Sequence, residues 1–227
     1  MSTGVVVCPV YNQEIAVLNR IQPLEAVLDG ETILIIDDGS SDSLESEIET
    51  SEHVHYLKHE KPLGYGGTVM SAVEYAAAHD NDIIYLIDMA NTGFREAFSL
   101  LKRGISDGAD IVNCSRFEQD DLTEDYASIH AGRVVTHHLR QASGLLFTDF
   151  FSPFKAARTN SLSSMTLEEF DEAILIQLWI QAAHFRLKCT ELYCSECSQP
   201  GVSPEALEKE SEYYLNFIRG ETLLYPV

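Results

Sequence analysis

The chain has 227 residues, 45% of them hydrophobic, enough to bury one substantial core and far from the composition of a disordered chain. Fifteen basic against 36 acidic residues give a formal charge of -21, which repels nucleic acid and anionic lipid and argues against both as partners. No run approaches the roughly 18 apolar residues of a membrane span, and MSTGVVVCPVYNQE carries no export pattern, so the cytoplasm and five reduced cysteines are expected.

In chain order, Gly4 to Val7 (GVVV) predicts a first buried strand. Pro9 has no N–H to give to a ladder, so the strand is expected to stop there, leaving Tyr11 and Glu14 on the following loop and first helical turn. Ile15, Leu18, Ile21 and Leu24 then recur at helical spacing, with a bend expected near Pro23. In ILIIDDGSSDS, residues 33–43, four aliphatics without alternation suit a strand covered on both faces. Such a strand delivers Asp37, Asp38 and Gly39 to the carboxyl end, where open α/β sheets bind ligands. Capping of a helix over 43–50 accounts for Ser41 or Asp42, but not for Asp38.

HVHYL, residues 53–57, predicts a further strand. Gly64, Gly66 and Gly67 precede a helix with Val69, Ala72, Val73 and Ala76 on one face, a turn able to hold phosphate on its N–H groups. A strand over 82–87 ends at Asp88, an amphipathic helix carries Phe94, Ala97, Phe98 and Leu101, and a strand over 110–114 ends at Ser115 and Arg116. Beyond it come the acidic loop FEQDDLTEDY, a helix over 130–146 and the aromatic turn TDFFSPFK at 148–155. Thr166 and Glu169 form a capping-box pattern before a helix through Phe170, Ile174, Leu178 and Ala182, with Trp179 expected near its surface. A strand over 185–193 and a helix capped by Ser203, ending before Gly220, complete the chain. Cys194 and Cys197 make one CxxC without the second ligand pair of a structural zinc, and the adjacent His137 and His138 point to different helix faces.

These readings predict one α/β domain over 1–227, a mostly parallel sheet flanked by helices. Tyr11, Glu14, Asp38, the glycine turn, Asp88 and Arg116 then line a crevice suited to a nucleotide. Neither GxGxxG after the first strand nor GxxxxGK[ST] is present, so dehydrogenase and NTPase readings lose support. VCPVYNQE also lacks the glycine and lysine of a sugar nucleotidyltransferase phosphate loop.

PVYNQE at 9–14, IIDDGSSD at 35–42, LGYGG at 63–67, IYLIDMA at 84–90, CSRF at 114–117 and TDFFSPFK occur in an order that resembles the family 2 glycosyltransferases of the Rossmann-like GT-A fold. The resemblance is strongest to the branch like dolichol-phosphate mannose synthase and bacterial polyprenyl-phosphate sugar transferases. It implies a nucleotide-sugar-binding half at 1–116 and an acceptor-side half at 117–227. Pro9, Tyr11, Glu14 and Asp38 would surround the base and ribose of a UDP- or GDP-linked sugar, with Gly66 and Gly67 in the phosphate turn. Asp88 would face the diphosphate and a divalent metal, Mg2+ or Mn2+. Arg116 would add positive charge, and Asp149 would act as base or orienting group for the acceptor. The family has two acids separated by one residue where this chain reads Asp88-Met89-Ala90, a degenerate DxD motif that implies low metal affinity. The basic residues that the lipid-phosphate branch supplies are reduced here to His130 and Arg133. The expected activity is inverting transfer of a sugar. Ala90 motivates an alternative, a nucleotide-sugar-binding protein of weak or no turnover, and either is compatible with a homo-oligomer.

Overall fold

The computed structural model describes residues 3–117, 129–197 and 204–227, with side chains described from 134 and 211 in the two later segments. In its first half β1 (Gly4–Val10), α1 (Glu14–Glu25), β2 (Thr32–Asp37), α2 (Leu44–Glu47), β3 (Val54–Lys58), α3 (Gly64–Ala78), β4 (Ile83–Leu86), α4 (Phe94–Ser106) and β5 (Ile111–Ser115) alternate strictly. There follow α5 (Ile129–Ser143), β6 (Lys155–Arg158), α6 (Thr159–Ser163), α7 (Ile174–His184), β7 (Cys189–Tyr193) and α8 (Pro204–Leu224). The strands form one sheet in the order β3-β2-β1-β4-β6-β5-β7. β6 runs antiparallel to both neighbours, and every other pairing is parallel.

The unbroken aliphatic runs follow from this layering. Val5, Val7, Leu34 and Ile36 pack on one face with α3, α7 and α8, while Val6, Cys8, Ile33 and Ile35 pack on the other with Val17, Phe94, Phe98 and Leu101. A strand wedged between two helical layers has no solvent face, so alternation disappears. The expected halves at 1–116 and 117–227 share this sheet, because β6 from the second inserts between β4 and β5 of the first.

Several local expectations are corrected. β1 does not stop at Pro9: it continues to Val10, with Pro9 opposite Ile36 of β2. The ladder to β4 ends at Val7, so the missing Pro9 N–H falls where no strand asks for it. α1 passes through Pro23 and turns Val17 and Leu24 inward, leaving Ile15 exposed. α2 is a single turn. β6, KAAR, was hidden because it has no hydrophobic run, and its buried alanines are small enough for close packing. Residues 166–169 are not helical; the Gln181 and Gln177 side chains accept the Thr166, Glu168 and Glu169 N–H groups, and α7 starts at Ile174. Trp179 is fully buried, its indole N–H donating to Phe150 O at 2.9 Å. α8 runs through Gly220. Cys194 and Cys197 form a disulfide, correcting the expectation of five free thiols, since a CxxC turn holds their Cα atoms 5.3 Å apart; Cys8, Cys114 and Cys189 are free. The FEQDDLTEDY loop beyond Phe117, the side chains of His130 and Arg133, and the Ser203 cap lie outside the described residues. Among the described residues, no helix is long and apolar enough to cross a membrane.

Candidate active site

The carboxyl ends of β1, β2 and β4 open on one crevice, and the loops after β1 and β2 are stitched together along its rim. Asn12, in the left-handed region at φ 52°, donates its N–H to Ser40 Oγ at 2.8 Å and accepts the Ser41 N–H on Oδ1 at 2.9 Å. Glu14 repeats the exchange one step on: its N–H meets Asp42 Oδ2 at 3.1 Å and its Oε2 accepts the Ser43 N–H at 3.3 Å. Tyr11 stands beside them, 52% exposed. Two polar loops are thereby fixed relative to each other.

Asp38 faces inward. Its Oδ1 meets His59 Nδ1 at 2.7 Å and accepts the Leu63 N–H at 2.8 Å, and its Oδ2 accepts the Gly64 N–H at 2.8 Å. The carboxylate that follows β2 therefore sits on the N-terminus of α3, where the helix dipole favours negative charge. Gly66 gives its N–H to Phe170 O at 2.9 Å. A methyl on Gly66 would overlap the Glu169 carbonyl oxygen, and one on Gly67 would overlap Leu63 Cβ. These glycines admit close backbone approach, and the turn's N–H groups at Leu63, Gly64 and Gly66 are spent inside the protein. That corrects the reading of the turn as an open phosphate cradle.

Between β1, β4, α3 and the 149–153 turn lies a cavity of about 180 Å³, lined among others by Pro9, Gln13, Tyr65, Asp88, Ser152 and Glu172. Burial raises the Asp88 carboxyl above the usual range, against the Ala90 N–H on Oδ1 at 2.8 Å and the charge of Arg20. Burial, with the Glu172 and Asp88 charges, likewise keeps the Tyr65 phenol protonated. Among the described residues, the Tyr65 hydroxyl and Gln13 Oε1 have no hydrogen-bond partner. Asp88 is the single acid of Asp88-Met89-Ala90, and no three His, Cys, Asp or Glu among the described residues group as metal ligands. This donor set does not fit a resident divalent ion, which prefers several charged oxygens.

Arg116 and Asp149, expected as separate cation and base, are joined to each other. Arg116 Nε and Nη2 donate to the two Asp149 oxygens at 2.6 and 2.7 Å, with both side chains buried. A bidentate buried pair satisfies both charges, so neither is presented singly to a ligand. Glu191 lies behind it, accepting from Thr148 N–H and Oγ1, Asp149 N–H and Asn113 Nδ2, and burial raises its carboxyl. Lys155, fully buried, donates to Ser152 O, and burial pulls its ammonium down to about 7.

Of the predicted residues, then, Pro9 and Asp88 line the cavity; Tyr11, Glu14, Asp38, Gly66 and Gly67 are not among its lining, Glu14 joining the two loops and Asp38 holding the start of α3, and Arg116 with Asp149 form a buried brace. The sequence reading missed Gln13, Tyr65, Ser152 and Glu172. The first three sit inside motifs already singled out, with Gln13 directly before an acid and Tyr65 between two glycines, whereas Ser152 stood in the aromatic turn without such a sign. Glu172 follows three other acids and had none.

The family model for glycosyl transferase family 2 matches residues 5–165. No curated protein sequence matches the chain. Among solved structures, glucosyl-3-phosphoglycerate synthase from Mycobacterium tuberculosis is 20% identical with a TM-score of 0.67, over 97% of this chain and 80% of its own. The same enzyme in complex with Mn2+, uridine-diphosphate-glucose and phosphoglyceric acid gives 20%, 0.67, 97% and 79%. A structure described as a mycobacterial protein gives 17% identity and a TM-score of 0.70, over 96% of this chain and 75% of its own.

Proposed function

The chain belongs to glycosyl transferase family 2, and on that premise we propose that it moves a sugar from a UDP- or GDP-linked donor to an acceptor hydroxyl, with inversion, in the cytoplasm. The observation that carries this is the cavity at the ends of β1 and β4, walled by Pro9, Gln13, Tyr65, Asp88 and Glu172. The structural neighbour that binds Mn2+ and uridine-diphosphate-glucose supports the choice of donor class. The order of motifs favours the dolichol-phosphate mannose synthase-like branch.

Glu172 is taken as the base in this reading, as a carboxylate of the cavity lining. The acceptor oxygen bonds to the anomeric carbon, its proton passes to Glu172, and the bond from that carbon to the diphosphate breaks with its electron pair leaving on the phosphate oxygen. One displacement inverts the centre. The stitched loops at Asn12, Glu14, Ser40 and Asp42 hold the rim against which the nucleotide lies, with Tyr11 available for stacking on the base. Asp88 is the remaining acid of a pair whose second position is Ala90, and no step is assigned to a metal.

Incubation with a panel of UDP- and GDP-sugars, with and without Mg2+ or Mn2+, tests the proposal. Donor hydrolysis or transfer is expected, and its absence under every condition would sink it. Ala90 favours a second reading, binding of the nucleotide sugar without turnover. Calorimetric binding without product would support that, as would metal-dependent activity gained by Ala90→Asp.

A further inference from the structure

Five buried side-chain polar atoms lack a hydrogen-bond partner among the described residues. Three of them, Asn91 Nδ2, Asn113 Oδ1 and Glu221 Oε2, belong to residues outside the lining of the cavity at the ends of β1 and β4. The other two, the Tyr65 hydroxyl and Gln13 Oε1, belong to its walls. A buried polar atom left unpaired raises the free energy of the empty protein until a ligand completes it.

Both side chains start from backbone that is held on either side. Gly64 and Gly66 flank Tyr65, and a methyl on either would overlap a carbonyl oxygen, that of Phe170 or that of Glu169. Asn12 and Glu14 flank Gln13, and each donates its N–H to a side chain of the loop after β2. The two groups are therefore placed before any ligand arrives, which lowers the ordering cost of using them. Gln13 is also the point at which the stitched loops reach the cavity wall.

What the pair recognises follows from its chemistry. Burial keeps the Tyr65 phenol protonated, so it has a hydrogen bond to give, whereas Gln13 Oε1 has one to take. Diphosphate oxygens only accept, and against Gln13 Oε1 they would set acceptor to acceptor. Alcohol hydroxyls both give and take, and complete either atom. The cavity, about 180 Å³, is smaller than the roughly 300–1,000 Å³ that encloses a whole drug-sized ligand, so it takes one part of a nucleotide sugar. With the nucleotide against the stitched loops, the part left for the cavity is the sugar ring, uncharged and carrying several hydroxyls.

We propose that Tyr65 and Gln13 read hydroxyls of the donor's sugar ring and so set which nucleotide sugar the cavity accepts, an inference that rests on the transferase reading of the same site. Calorimetry on the purified chain tests it by comparing UDP-glucose and UDP-galactose with UDP, and GDP-mannose with GDP. At least one nucleotide sugar should bind more tightly than its own nucleotide. Tyr65→Phe and Gln13→Met should each cut that advantage by about three- to tenfold while affinity for the nucleotide alone stays within about twofold. Tyr65→Phe should leave the urea midpoint of the free protein unchanged or raised, because the hydroxyl it removes has no partner there, whereas a hydroxyl with a structural role would lower it on removal. Equal weakening of nucleotide and nucleotide sugar would place the two groups on the base, ribose or diphosphate and overturn the inference. An advantage unmoved by either variant, or no advantage in the unaltered chain, would overturn it as well. Donor turnover by the unaltered chain is measured separately and decides the transferase reading. Turnover with an unmoved advantage sinks this inference alone, and an advantage lost in the variants without turnover sinks only the transferase reading.

Discussion

Removing the Asp38 carboxylate should loosen the protein before it touches ligand affinity. Asp38→Ala strands the Leu63 and Gly64 N–H groups and the His59 ring nitrogen, all within 2.8 Å of the carboxylate, in a site where Asp38 is 7% exposed. Each unmade bond to a buried donor costs about 1–3 kcal/mol, and together, with partial relaxation toward water, about 3–5 kcal/mol. That is a large share of the ~5–15 kcal/mol that holds a domain folded. At a typical urea dependence it lowers the unfolding midpoint by about 1–2 M. Asp38→Asn keeps one accepting oxygen but turns an amide N–H2 toward a donor, so it should recover less than half of the loss. Urea titration by circular dichroism, with UDP titrated into the folded protein, separates positioning from ligand contact. A normal midpoint in Asp38→Ala combined with lost UDP affinity would refute the assignment and return Asp38 to the base and ribose.

Three further outcomes are expected. Gly66→Ala drives a methyl into the Glu169 carbonyl and should cost about 1–3 kcal/mol in the same urea assay; an unchanged midpoint would mean the 169–171 segment yields freely. Lys155 titrates at about 7 when folded and 10.5 when unfolded, so the folded chain binds fewer protons between those values and stability rises with pH across that window, by about 1.4 kcal/mol per pH unit from this group. Lys155→Met should flatten that rise and stabilise the protein near pH ~7, and midpoints measured across the window would show whether it does. Glu172→Gln should lower turnover by about 10²–10⁴ while UDP affinity is kept; a loss below tenfold would remove Glu172 as the base.

The layered sheet was legible because its signal is local: GVVV and ILII have no polar face, and helices between them repeat at 3.6. β6 was not, because KAAR becomes a strand only through neighbours contributed by β4 and β5, a tertiary cause without a local trace. The site divides the same way. Asp88 stands at a strand end, where position in the chain predicts position in the fold. Asp38 stands at one too, yet the sequence could not say which way it faced, since its partners Leu63 and Gly64 lie 25 and 26 residues on. The pairing of Arg116 with Asp149 spans 33 residues, a separation over which the sequence carries no local sign that the two side chains meet.

The antiparallel seam also sets an order of assembly. β4 pairs with β1 through residues already made, but its other edge waits for Lys155–Arg158, as Ile83 opposite Arg158 requires. β5 is finished earlier than β6 and still has no place in the sheet until β6 arrives. During synthesis, β3, β2, β1 and β4 can assemble while the open backbone of β4 faces outward, a template for pairing with another chain. A chain cut before residue 155 should therefore aggregate through β4, whereas one cut after β6 has that edge covered.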